Sequence, residues 1–510
     1  MKFLIQKSLF SLAVAALIVG CGTEISGNSS EDPDPGSADF STFVAIGDSL
    51  TAGYADSALY RHGQVNSYPA IMAQQFAFAG GGAFAQPLRS ADATGSFVGI
   101  PTTTVADRLV AAPTGDPERP LTPVPITPSV PTNLVPMPGM LFNNFGVPSA
   151  KSFHFSLTSY GDPAGLAAMP PTANPFYVRF ATSPGPAGSS IIGDAVARAP
   201  TFFVLWVGNN DVLLNALAGS PGTDNPTFGT GFGDATPTAT FAAVYPGLVA
   251  ALTGASPGNK GVLANIPNVS TIPYFTTVPY NAIPLDAPTA AQLTSDVAMV
   301  YDLVLNSAIV NGLDPAEAAR RRITYTAGDE NPILISDDTL VDISSEFVGP
   351  LAALIGLAQA RPATPDDLIL LPAASKLGEE DTPGNPLTVW GVTLPLEDGD
   401  VLTEPEAGSL DAVRLAYNAT IKAEADADPD LIYFDAAALL EELNSTGISY
   451  GSGGISSAFI LGGGFSLDGV HPTARGYAVI ANEMMDAIEQ AFGATLPPVN
   501  PADYSTFFYQ

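Results

Sequence analysis

The sequence predicts an α/β protein, a three-layer αβα sandwich around a central parallel sheet with large loop insertions. Three observations lead there. Short apolar runs recur along the chain, each bounded by Gly, Pro, Asn or Asp, as strands buried on both faces do. Stretches with helical periodicity stand between those runs, the alternation of a doubly wound sheet. Apolar residues make up 46% of the 510 residues and charged residues 13%, which fills a large core and is far from a disordered composition.

Residues 1–20 read as an export signal: Lys2 and Lys7 supply the positive start, and Leu9 to Val19 is an apolar run too short to cross a bilayer with any margin. Leu17-Ile18-Val19-Gly20-Cys21 resembles the bacterial lipobox, which implies a diacylglycerol on Cys21 and cleavage before it. Ile18 stands where leucine is usual, and an ordinary signal peptide cut elsewhere is the alternative. Residues 21–39 then form a disordered tether with almost no apolar residues, reaching about 20–25 Å if fully flexible. This implies a lipid-anchored protein of the bacterial cell envelope, with the outer membrane the expected host and the chain facing the periplasm or the surface.

Residues 40–510 form the folded domain. Phe43–Ile46, Thr201–Val207, Val262–Ile266 and Leu431–Phe434 are the predicted strands. Phe241–Leu252, Ala290–Ile309 and Ser409–Ala427 are predicted helices, and Tyr477, Ile480, Met484 and Ile488 mark a last helix capped by Thr473 and ended by Gly493. Residues 77–140, dense in Gly, Pro and Thr, and residues 311–399 read as insertions. The second carries the apolar segment Pro350–Ala360, readable as a lid or as a buried helix.

Charge and composition remove whole classes of function. A net charge of −32 argues against nucleic acid, whose phosphates need clustered Lys and Arg, and against polyanionic substrates. Removing residues 1–20 takes away two lysines and no acid, so the mature chain is more acidic still. Cys21 is the only cysteine and His62, His154 and His471 the only histidines, too few for a structural zinc site of about four such ligands, and no disulfide can close within one chain. No metal or cofactor is expected.

Four short segments carry chemistry. Gly47-Asp48-Ser49-Leu50 puts a serine just past a strand end, at the ligand edge of the sheet, although a plain strand-end turn reads the same. In Asp468-Gly469-Val470-His471, the acid is close enough to orient one ring nitrogen while the other takes a serine proton. Gly208-Asn209-Asn210-Asp211 follows a predicted strand; Asn210 is the candidate oxyanion donor and Asp211 the candidate helix cap. Asn143-Asn144-Phe145-Gly146-Val147-Pro148-Ser149 is turn-rich and offers backbone N–H groups.

Taken in this order, the four segments resemble the SGNH (GDSL-type) hydrolase family over about residues 43–490. The resemblance implies that Ser49 is the nucleophile, with Asp468 and His471 completing a triad. It implies an oxyanion site of the Ser49 N–H, the Asn210 amide and a second backbone N–H. That second donor is a glycine in the family; counting five residues from Asn144 gives Ser149, with Gly146 as the fallback. The expected function is a serine esterase or lipase working through an acyl-enzyme on a small-molecule, lipid or glycan ester, and a lid at 350–360 would touch acyl chains. The alternative is an inert surface-binding lipoprotein of the same fold.

Three other patterns read as decoys. Gly447-Ile448-Ser449-Tyr450-Gly451 matches a Gly-x-Ser-x-Gly elbow but follows a predicted helix, not a strand. Asp426, Asp428 and Asp430 begin a calcium-loop pattern, but Leu431 and Ala437 stand where Gly and Glu are needed. His62 and His154 have no acid at a matching spacing and read as surface or packing residues.

Overall fold

The computed structural model describes residues 32–98, 106–117, 119–220, 226–451 and 453–510. The export signal and Cys21 lie outside the described residues. The tether predicted through Asp39 ends sooner than that. Asp34 exchanges two backbone hydrogen bonds with Thr495, and the Ser37 N–H donates to the Phe492 carbonyl at 2.9 Å. Ala38 and Phe40 are already buried.

The chain forms two compact units. The larger, residues 32–213, 236–273 and 412–510, holds a five-stranded sheet. Its strands are β1 (Phe43–Gly47), β2 (Asn144–Gly146), β3 (Phe202–Trp206), β4 (Lys260–Ala264) and β5 (Leu431–Phe434). They run in the order β5-β4-β3-β1-β2, with every pair parallel. All four predicted runs are strands. The fifth, β2, spans three residues and is too short to show a period of two.

Alternation along β1 sends Phe43 and Ala45 to one face and Val44 and Ile46 to the other, all buried. The first face packs under α2 (Tyr68–Phe76) and the final helix, introduced below, in a core that includes Phe202, Trp206, Val262 and Tyr477. On the other face Val44, Ile46, Phe203 and Leu205 are fully buried. There Phe241 of α4 (Thr238–Thr253) stacks on Tyr417 of α5 (Glu404–Ala427), with ring centroids 4.3 Å apart. The sheet thus lies between helices, as the composition and alternation predicted.

Between β1 and β3 the winding of the sheet changes direction, since β2 lies on one side of β1 and β3 to β5 on the other. Crevices beyond the C-terminal ends of strands at such a switch point are where doubly wound folds bind ligands. Two one-turn or two-turn helices start there: α1 (Ser49–Ala52) after β1 and α3 (Asn210–Ala216) after β3. After β5 come α6 (Ala436–Ser445), the hairpin β6 (Ile448–Tyr450) and β7 (Gly453–Ile455), and then α7 (Ala474–Phe492). The last helix matches its sequence signals: the Thr473 side chain accepts the Gly476 N–H, and Gly493 closes it at φ 67°.

The second unit contains Tyr274–Asp411 and Leu214–Ala235. The insertion read at 311–399 falls inside it. Its own core gathers Tyr301, Val304, Ile333, Ile335, Leu357 and Leu396. The helix predicted at Ala290–Ile309 is present but interrupted by a π turn at Thr294–Ala298. Of the two readings of Pro350–Ala360, the buried helix is met in part. It forms a 3-10 stretch, Gly349–Leu357, kinked at Leu354, and its Leu354 and Leu357 are buried in this unit's own core. Gly356 near its end disfavours a regular α-helix.

Candidate active site

Gly47 closes β1 because α1 folds directly back on it: a Cβ there would stand 2.1 Å from Thr51 Oγ1 and 2.6 Å from the Trp206 carbonyl. Asp48 is the N-cap of α1, its carboxylate accepting the Leu50 N–H at 3.0 Å. Ser49 is therefore the first helical residue, 7% exposed, at the C-terminal edge of the sheet. The helix is only four residues long, so the negative charge expected to be favoured at its start rests on individual N–H groups rather than on a long dipole. Burial pushes the Asp48 carboxyl up to about 6, against the opposing pull of Asn209, the Leu50 N–H and the nearby His471. Asn209 Nδ2 donates to Asp48 at 2.9 Å and ties the ends of β1 and β3 together.

Asp468 and His471 meet as their spacing predicts. His471 Nδ1 lies 2.9 Å from Asp468 Oδ2. The carboxylate also accepts the His471 and Val470 N–H groups at 2.9 Å, the Ser57 N–H at 2.8 Å and the Ser466 hydroxyl at 3.0 Å. Burial raises the Asp468 carboxyl, but His471 and these donors outweigh it and bring it down to about 2. The His471 ring sits beside the Tyr54 ring, centroids 4.7 Å apart. Ser49 and His471 line one cavity together, with no hydrogen bond joining them. Catalytic hydrogen bonds are often long before substrate arrives.

The loop after β2 and the start of α3 are clamped to each other. Asn210 Nδ2 donates one N–H to the Ala150 carbonyl at 3.0 Å. Asp211 does not cap its helix; it accepts the Ser152 N–H at 2.8 Å and the Ser152 hydroxyl at 2.6 Å, while Asn209 precedes the first turn. Between these clamps Ser149 stands at φ 64°, the left-handed region that glycine enters most easily. Gly146, the fallback donor, is not available, because its N–H already donates to Asn144 Oδ1 at 2.8 Å. Asn144 also donates to the Thr51 carbonyl at 2.8 Å, which locks the end of β2 to α1.

The sheet edge therefore collects Ser49 after β1, Ser149 after β2 and Asn209 with Asn210 after β3. Sequence reasoning missed the Asp48–Asn209 bond and the turn at Asp56 and Ser57, two consecutive residues at φ 53° and 62°. That turn accepts the Leu467 N–H on Asp56 at 3.0 Å and aims the Ser57 N–H at Asp468. Its only local signal is an Asp-Ser pair.

The decoys resolve structurally. Ser449 is exposed on the hairpin of β6 and β7, with no strand-to-helix elbow. His154 stacks on Tyr160 at 4.3 Å, accepts the Lys151 N–H, and is pulled down to about 3 by burial. His62 lies 2.9 Å from the Ser505 hydroxyl. Asp426 pairs with Lys422 at 2.7 Å. Compared with known proteins, the chain matches no family model, no curated protein and no solved structure.

Proposed function

We propose that this chain is a serine hydrolase of the SGNH (GDSL-type) kind that cleaves carboxylic esters, with Ser49 as nucleophile, His471 as base and Asp468 as its orienting acid. The observation that carries the reading is the Asp468–His471 pair, whose histidine lines one cavity with Ser49 at the switch-point edge of the sheet. In this reading Ser49 Oγ attacks the ester carbonyl carbon while His471 Nε2 takes its proton. Asp468, ionised at any ordinary pH, steadies the imidazolium. The developing oxyanion is held by the N–H groups of Ser49 and Ser149 and by the second N–H of Asn210, which the Ala150 carbonyl does not use. The carbon–oxygen bond to the alcohol breaks, and His471 returns its proton to the leaving oxygen. Water then gives a proton to His471 and its hydroxyl to the acyl carbon, releasing the acid and regenerating Ser49.

The same reading takes residues 1–20 as an export signal and Cys21 as the lipidated anchor in the envelope membrane. A fluorophosphonate probe tests the centre directly. It is expected to label the wild-type chain at Ser49, with Ser49→Ala unlabelled and inactive on p-nitrophenyl acetate. A folded chain that takes no label and turns over no ester favours the inert binding lipoprotein instead.

A further inference from the structure

The cavity that holds Ser49 and His471 has a volume of about 120 Å³. Twenty-two residues line it, and none carries a formal charge when histidine is neutral. Only Ser49, Asn209 and His471 bring side-chain groups suited to a polar reaction. Trp206 presents carbon, because its Nε1 already donates to the Asn265 carbonyl at 3.0 Å. The far wall is continuous aliphatic surface: Leu440 and Leu443 of α6, Ile448 and Ile455 of the hairpin, and Val479 and Ile480 of α7. The hairpin built from the decoy Gly-x-Ser-x-Gly sequence thus turns its serine outward and both isoleucines inward.

A sugar or charged acyl group in that wall would leave hydroxyls or charges without partners, at roughly 1–3 kcal/mol for each neutral group. A polymethylene chain has nothing to satisfy. Taking a methylene as about the size of one water, which needs roughly 10–15 Å³ of such volume, the cavity holds about eight to twelve carbons. Resting on the hydrolase reading above, we infer that the site is built for esters of unbranched acyl chains of about eight to twelve carbons. The carbonyl sits at Ser49 and the chain is buried between α6, the hairpin and α7.

The test is kcat/KM of the full chain on p-nitrophenyl acetate, butyrate, octanoate and laurate, with fluorophosphonate labelling of Ser49 in parallel. Full burial gives about fourfold per added methylene, and at least tenfold from acetate to octanoate is expected. Ile455→Trp and Leu443→Trp, which fill the far wall, are each expected to lower the octanoate-to-acetate ratio tenfold or more. Laurate, unlike acetate, is expected to protect Ser49 from the probe, a readout that needs no variant. Labelling of Ser49 with a flat or falling chain-length profile and no laurate protection overturns the acyl site while the hydrolase reading stands. No label and no turnover of any ester overturns the hydrolase reading, and this inference with it.

Discussion

Asp468 accepts from four neighbouring donors besides the His471 ring, so both of its oxygens are committed before any substrate binds. Asparagine in its place puts an amide N–H against those donors and favours the wrong histidine tautomer. Asp468→Asn is therefore expected to lower kcat by about 10⁴ with little change in KM, and a loss below tenfold takes Asp468 out of the scheme. The two asparagines after β3 separate by the same measurement. Asn210→Ala is expected to cost about 10²–10³ in kcat, and Asn209→Ala, at a residue that already gives one amide hydrogen to Asp48, less than tenfold. The reverse order would make Asn209 the oxyanion donor. In the proposed scheme Ser149 acts only through its backbone conformation and N–H, so Ser149→Gly should keep full activity. Ser149→Val, a β-branched residue at φ 64°, should lose folded protein or rate.

At the level of elements, the loop before α7 that carries His471 is held from both ends. Thr473 caps the helix by accepting the Gly476 N–H at 2.9 Å, and its hydroxyl donates to the Gly463 carbonyl at 2.7 Å. His471 stands two residues away, and its carbonyl accepts the Ser466 N–H at 2.7 Å. Thr473→Ala removes cap and tie together and is expected to cost about 1–2 kcal/mol of stability by denaturant unfolding. Thr473→Ser should restore most of it, because serine supplies the same hydroxyl. Equal stability of the alanine and wild-type chains would mean that α7 is set by its apolar face alone, through residues such as Tyr477, Met484 and Ile488.

Across the whole molecule, acidity and burial pull stability in one direction. Asp48 and Asp56 are both raised to about 6, chiefly by burial. A raised carboxyl stabilises the folded state fully below its unfolded value, near 4, and that contribution is lost as pH climbs through about 6. Asp468 works the other way: its contribution is present above the unfolded value and lost as pH falls towards about 2. With a net charge of −32 adding self-repulsion at neutral pH, the melting temperature is expected to be several degrees higher at pH 5 than at pH 8. Added salt should narrow the gap by screening the exposed part of that charge. A melting temperature that rises from pH 5 to pH 8 would contradict this balance.

The sequence by itself determined the parallel α/β sheet and the placement of Ser49 at a strand end. It also determined the Asp468–His471 pairing and both ends of the last helix. Each depends on signals a few residues long: an apolar run, a turn residue, an i to i+3 spacing, a capping threonine. It could not show β2, whose three residues carry no period, nor the break inside the helix predicted at 290–309, since a π turn leaves the apolar pattern almost unchanged. Hydrogen bonding in the folded chain decided which of the two backbone N–H groups proposed as the second oxyanion donor was left unspent. Gly146 loses its donor to Asn144 two residues away, while Ser149 keeps its own because Asn210 and Asp211, some sixty residues later, hold the loop in shape. Tertiary structure also decided that the wall beside Ser49 is built from residues near 440, 450 and 480. Hydrophobicity along a chain says that a residue will be buried, but only the packing of distant elements says against what.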